Sequence, residues 1–166
     1  MAEIILSQGF VSHVDFEDYA YLQQWKWHVE ISRTTKYAVR RARVKESAGS
    51  RIFRMHRVIL GLSTGLDDCR EVDHINGNGL DNRKTNLRVC ATEDNRHNRK
   101  LDWRNTSGLK GVTWSNEHNK WLSRISVGGE RYFLGYFCDK IQAAYAYDIK
   151  ARELHGEFAR LNFPDN

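Results

Sequence analysis

The chain has 166 residues, 40% of them hydrophobic, and 26 Lys and Arg against 21 Asp and Glu give a formal net charge of +5. That length holds one ordinary domain or about two or three very small ones. The mild basic excess permits a polyanionic partner without requiring one. Cys69, Cys90 and Cys138 are odd in number and widely spaced, with no C-x-x-C pair, so neither a zinc knuckle nor a disulfide framework is expected. The N-terminus lacks the charged-then-apolar order of a signal peptide, and no run approaches the roughly 18 to 20 apolar residues of a membrane helix. A cytoplasmic protein, neither exported nor membrane-spanning, is the expectation.

From residue 1 to 66 the pattern is β-rich. Short aromatic or β-branched runs at 4–6, 10–14, 25–31, 37–42 and 52–55 read as strands separated by polar turns. The segment 15–24 carries Phe16, Tyr19 and Leu22 at helical spacing and reads as a short helix with Asp15 as its N-cap. Trp25 and Trp27 flank Lys26 at strand spacing and are expected to pack in the core. His56 precedes a turn of helix in RMHRVILG and reads as a brace between the β-rich region and the Asn-rich and Asp-rich segment after it.

Residues 67–104 are rich in Asn, Asp and Arg, with too few apolar residues for a core of their own. Asp73 and His74 follow Val72 at the end of a short strand, Gly77 to Gly79 reverses the chain, and Asn86 begins a second strand over 87–89. Thr92 can then cap a helix, with Glu93 and Asp94 in its first turn and Asn95 behind them. Phosphodiester hydrolysis needs a hard cation on the phosphate, oxygen ligands to hold it and a base for water. Asp73 and Asn95 supply oxygen ligands. His74 points to the other side of its strand as the candidate base, and Asn86 is placed to accept its second ring N–H and fix the tautomer. Arg83 and Arg88 are candidate phosphate clamps. Arg96, Arg99, Lys100 and Arg104 form a basic link suited to lie along a duplex.

The segments DHINGN, DNRKTNLR and EDNRHN closely resemble the HNH endonucleases of phage and intron origin, which use the ββα-metal fold. The resemblance implies His74 as general base, Asn86 as its orienting residue, and Asp73 with Asn95 as ligands of one divalent metal. Asn rather than His in the third motif position is similar to the H-N-N subgroup of homing endonucleases, and an Asp and Asn pair suits Mg²⁺ or Mn²⁺ better than zinc. A prokaryotic host or phage-infected cell is the setting it implies.

Residues 105–166 alternate cleanly. Trp121, Ser123 and Ile125 share one strand face, opposite Leu122, Arg124 and Ser126, and a following strand sets Tyr132 and Leu134 against Arg131 and Phe133. A helix over 140–155, capped by Asp139 and stopped at Gly156, presents Ala143, Ala144, Tyr147 and Ala151 toward the sheet. Through KGVTW, RYFLGYF, AAYAYD and LNFP this unit closely resembles the plant ethylene-response-factor (APETALA-type) DNA-binding domain. The resemblance implies a sheet face in the DNA major groove, at Thr113, Ser115, Arg124, Ser126, Arg131, Phe133 and Tyr136.

The reading is an α+β protein of three units, 1–66, 67–104 and 105–166: a β-rich region, a ββα-metal nuclease motif, and a three-stranded antiparallel sheet packed on one helix. The expected function is a metal-dependent endonuclease, homing-type or phage-encoded, that nicks double-stranded DNA as a monomer. A DNA-binding regulator with an inactive nuclease motif and an RNA-processing nuclease are the rivals.

Overall fold

A computed structural model describes residues 1–32, 35–43, 49–62, 70–90, 101 and 105–164. The architecture is α+β, with small antiparallel sheets and short helices. The chain forms two compact units, Met1–Asn95 and Arg96–Asn166, so the β-rich region and the Asp73-His74 segment share the first.

In the first unit β1 (Ala2–Ile5) and β2 (Val11–Val14) form a hairpin, followed by α1 (Phe16–Leu22). β3 (His28–Ile31), β4 (Lys36–Arg43) and β5 (Ser50–Arg54) make a three-stranded antiparallel sheet in the order β3-β4-β5, and α2 (Met55–Ile59) follows. One core gathers Ile4, Leu6, Val14, Leu22, Trp27, Ala38 and Met55. Trp27 is buried with its indole N–H donated to the Leu22 carbonyl at 2.9 Å. Trp25 is only half-buried: the Arg40 guanidinium lies 4.3 Å from its ring, and neither tryptophan belongs to β3, which starts at His28. Asp15 does stand at the N-cap of α1, but its carboxylate makes no capping bond. Asp15 Oδ2 instead accepts the Lys84 N–H at 2.8 Å, tying the later loop to the start of the helix.

β6 (Glu71–His74) and β7 (Leu87–Cys90) pair antiparallel, with Asp73 opposite Arg88 and His74 opposite Leu87. This hairpin has little apolar material, and backbone bonds join its loop to β2. His13 N–H donates to the Leu80 carbonyl at 2.9 Å, and Asn82 N–H donates to the His13 carbonyl at 2.8 Å, a parallel bridge between His13 and Asp81. The loop also lies flat on β4. A Cβ at Gly79 would collide with the Lys36 carbonyl oxygen and come within 2.7 Å of the Tyr37 ring, so only glycine allows this approach. The helix expected from Thr92, which would complete a ββα unit, lies outside the described residues, as do Asn95 and the basic link Arg96, Arg99, Lys100 and Arg104.

In the second unit β8 (Val112–Ser115), β9 (Lys120–Val127) and β10 (Glu130–Phe137) form an antiparallel sheet in the order β10-β9-β8, covered by α3 (Lys140–His155). Asp139 Oδ1 accepts the Ile141 N–H at 3.0 Å, and Gly156 ends the helix with φ 52°. Ala143, Ala144, Tyr147 and Ala151 are buried against the sheet. Gly111 lies so close under the Tyr147 ring that any Cβ would overlap it, which lets β8 and the helix meet. The buried Asp148 fastens the C-terminal segment: Oδ1 accepts the Asn162 N–H at 2.9 Å and Oδ2 accepts the Phe163 N–H at 2.9 Å. Cys90 is a buried free thiol and Cys138 an exposed one, and among the described residues no helix is long and apolar enough to cross a membrane.

Candidate active site and nucleic-acid interface

Strand alternation sends Asp73 and His74, the last two residues of β6, to opposite sides. Both are 5% exposed. On the Asp73 side, Arg88 reaches across the hairpin, and its Nε and Nη2 both donate to Asp73 Oδ2, at 3.0 and 2.6 Å. Arg83 forks onto Asp81, Nε to Oδ1 and Nη2 to Oδ2, both at 2.7 Å, and this holds the Asp81 carboxyl below the usual carboxylate range. Each arginine expected on phosphate is therefore engaged by a carboxylate, which it must release or share to meet a backbone phosphate.

On the other side His74 enters a cluster of rings. Its centroid lies 5.0 Å from that of His56, edge to face, and 5.9 Å from that of Tyr37, while Tyr37 and His56 are 5.7 Å apart. His56 is buried, and its Nδ1 has no hydrogen-bond partner among the described residues. Burial, then the neighbouring His74, Arg54 and Arg57, push its pKa down to about 3, so it is a neutral packing ring at ordinary pH. Burial also lowers the His74 pKa, opposed by the Asn82 hydrogen bond and by the Asp73 and Asp81 carboxylates. A neutral imidazole is the form a general base requires.

Among the described residues, Asn82 Oδ1 lies 3.2 Å from His74 Nε2. Asn86 was expected in that place. Its side chain instead stitches the intervening loop: Oδ1 accepts the Asn76 N–H at 3.0 Å, while Nδ2 donates to Asn76 Oδ1 at 3.1 Å and to the Asp81 carbonyl at 2.8 Å. Asn86 N–H itself bonds the Arg83 carbonyl, and Ile75 N–H donates to the Asn86 carbonyl. The physical reason is position. Asn86 stands just before β7, level with the loop backbone, whereas Asn82 is carried inward by the bridge to β2. Sequence reasoning passed over Asn82, Tyr37 and Ser12, and no local signal marks them.

Asp73 offers carboxylate oxygen to a cation, and among the described residues no group of three or more His, Cys, Asp or Glu converges that could hold one. Carboxylate oxygen is a ligand that suits a hard divalent ion.

In the second unit the register brings all seven residues expected on DNA to one face. Arg124 pairs with Phe133, Ser126 with Arg131, and Thr113 and Tyr136 both flank Leu122, with Ser115 opposite Lys120 beyond them. The opposite face, with Val112, Ser123 and Ile125, meets the helix. A bulge between Phe133 and Gly135 keeps Tyr136 on the open side. Phe133 is 63% exposed, and Tyr136 stacks on His118 with ring centroids 4.0 Å apart.

Residues 53–97 match the family described as HNH endonuclease. The chain is also 45% identical over 49 residues to Dehydration-responsive element-binding protein 2A of Oryza sativa subsp. indica, and equally to that of subsp. japonica. It is 44% identical over 48 residues to Dehydration-responsive element-binding protein 2C of Arabidopsis thaliana. Each match covers 28% of this chain but only 18% of the rice proteins and 14% of the Arabidopsis protein. The resemblance to HNH endonucleases is thus confined to residues 53–97.

Proposed function

We propose that the protein is a metal-dependent endonuclease that hydrolyses phosphodiester bonds of double-stranded DNA, homing-type or phage-encoded, nicking one strand at a time as a monomer. The observation that carries this reading is the pair Asp73 and His74 on opposite sides of β6, one offering oxygen to a cation and the other a neutral imidazole to water, inside the HNH segment. Asp73 and Asn95 would hold a divalent ion, Mg²⁺ or Mn²⁺, which when bound would supply positive charge to the phosphate. His74 takes a proton from water while the water oxygen attacks phosphorus, and the P–O ester bond breaks with its sugar oxygen leaving and taking a proton from solvent water. Asn86 keeps the loop that carries Asn82 in shape. One such set hydrolyses one phosphodiester at a time, and the antiparallel second strand requires a reversed approach.

The open face of the second unit, with Arg124, Arg131 and Phe133, is the DNA-reading surface in this proposal, supported by the shared register of its seven residues and by similarity to proteins named as element-binding. The engagement of Asp73 by Arg88 favours one alternative, a DNA-binding regulator whose nuclease motif is shut. Supercoiled plasmid and phage genomic DNA incubated with Mg²⁺ or with EDTA separates the two. The nuclease gives open circles before linear DNA, only with metal and at concentrations where sedimentation reports a monomer. Tight binding without any nicking in Mg²⁺ or Mn²⁺ establishes the regulator.

A further inference from the structure

Behind His74, polar groups from separate stretches of the first unit are joined end to end. His74 Nε2 lies 3.2 Å from Asn82 Oδ1, Asn82 Nδ2 donates to Ser12 Oγ at 2.8 Å, and Ser12 Oγ donates to the Leu80 carbonyl at 3.1 Å. Ser12 and Asn82 are 0% exposed, and His74 is 5% exposed, so water does not compete for these bonds. The register is held by backbone, since His13, next to Ser12, bonds both Leu80 and Asn82.

The direction of the chain of bonds is set at its far end. A carbonyl oxygen can only accept. Were the Ser12 proton turned toward Asn82, the lone pairs of Ser12 Oγ and the Leu80 oxygen would face each other at 3.1 Å with no proton between them. The other neighbour of Ser12 Oγ, the Met55 sulfur at 3.3 Å, is also only an acceptor. The Ser12 proton therefore points away from Asn82, and Ser12 Oγ accepts from that side. Asn82 must turn its amide nitrogen to Ser12 and its oxygen to His74. An amide oxygen accepts, so His74 donates from Nε2, and a neutral imidazole with its proton on Nε2 carries its lone pair on Nδ1.

We propose that Ser12 and Asn82 are positioning residues of the nuclease reaction, holding His74 as the Nε2-protonated tautomer so that Nδ1 is the atom that takes the proton from water. The proposal rests on the reading of His74 as the base. Ser12 belongs to β2 and lies outside residues 53–97. The HNH segment supplies the direct partner of its base, Asn82, and a strand from the preceding region fixes that partner through a buried serine.

The test needs no DNA for its first arm. Full-length protein labelled with ¹⁵N, kept near pH 8 where histidine is neutral, gives long-range ¹H–¹⁵N correlations from each imidazole, with His74 assigned by its loss in His74→Gln. The wild type is expected to show His74 protonated on Nε2 and bare on Nδ1. Ser12→Ala, checked for folding by circular dichroism, is expected to give a mixture of tautomers. Its single-turnover cleavage rate at saturating DNA should fall about ten- to a hundredfold with DNA affinity unchanged. A wild-type His74 protonated on Nδ1 overturns the proposal without any substitution, as does a Ser12→Ala protein with unaltered tautomer and unaltered rate. If the wild type does not nick DNA with Mg²⁺ or Mn²⁺, the nuclease reading fails on its own, and the tautomer still reports whether the chain of bonds runs as argued.

Discussion

The guanidinium of Arg88 closes on the carboxylate of Asp73 directly across the β6–β7 hairpin, with both donors on the single oxygen Oδ2. The side chains are 14% and 7% exposed, so each charge depends on the other. Removing one partner of such a pair takes away the charge opposite the other, at a cost of roughly 3 to 5 kcal/mol when burial is complete and the other charge is left alone, and less here. Asp73→Ala should therefore lower the thermal midpoint as well as abolish cleavage. Asp73→Ala combined with Arg88→Ala should recover much of the stability and none of the cleavage. Recovery of cleavage in the double variant would show that Asp73 serves the fold and not the chemistry.

His74→Ala is expected to slow single-turnover cleavage by about 10² to 10⁴ while leaving DNA affinity nearly unchanged, because a base acts on water and not on binding. Quench-flow rates paired with a fluorescence binding titration measure both. An affinity loss that accounts for the whole effect would make His74 a contact residue.

The pH dependence has a definite sign. Burial lowers the His74 pKa, and the neutral ring is the active form, so the rate should rise with pH and level off with a midpoint below the ordinary histidine value of about 6.5. Sequence alone placed that midpoint within about a unit of 6.5 on either side; burial selects the lower side. Single-turnover rates from about pH 4.5 to 8 decide it, and a midpoint above the ordinary value would mean that nearby carboxylates outweigh burial once DNA is bound.

Some of this was legible in the sequence because it is periodic or local. The strand alternation of 121–137 and the alanine spacing of the last helix fixed which face of the sheet is open, and that face then gathered Arg124, Arg131 and Phe133. The Asp73, His74 and Asn86 spacing found the hairpin for the same reason. Ser12 and Asn82 were illegible. They meet only because β2 bridges the loop, and a polar pair separated by seventy residues leaves no pattern in either segment. Asp15 was read as an N-cap and Asn86 as the partner of the His74 ring, yet Asp15 bonds the Lys84 N–H and Asn86 bonds the loop at Asn76 and Asp81. Local chemistry tells that an anchor is needed but not which of several nearby groups it takes.

His56 adds an acid-sensitive element. Its folded pKa of about 3 lies below the unfolded value of about 6.5, so the unfolded chain binds the extra proton between those limits. Stability from this group is fully present above about pH 6.5 and is lost as pH falls toward 3, on the order of 2 kcal/mol by about pH 5. His74 contributes a slope of the same sign, so the comparison must be made against a variant. His56→Leu should show a shallower loss of stability between about pH 7 and 5 than the wild type in urea titrations. Equal slopes in the two proteins would mean that the buried ring is not held neutral.

The division of labour between the two units is tested on the open sheet. Arg124 and Phe133 are cross-strand partners, and Arg131 stands beside them opposite Ser126, so a cation, an exposed aromatic and a second cation share one surface. If this surface reads duplex DNA, Arg124→Ala and Arg131→Ala should each weaken binding by about 1 to 3 kcal/mol where the arginine meets a base edge. An arginine on phosphate instead would flatten the salt dependence by roughly one counterion, with little change in sequence preference. Phe133→Ala carries no charge, so it should weaken binding with the salt slope unchanged. None of the three should alter the single-turnover rate at saturating DNA, because Asp73 and His74 lie in the other unit. Binding titrations at several salt concentrations, with cleavage rates alongside, measure all of these quantities. Undiminished affinity and selectivity in the Arg124→Ala, Arg131→Ala double variant would remove the second unit from DNA recognition and leave that task to the first.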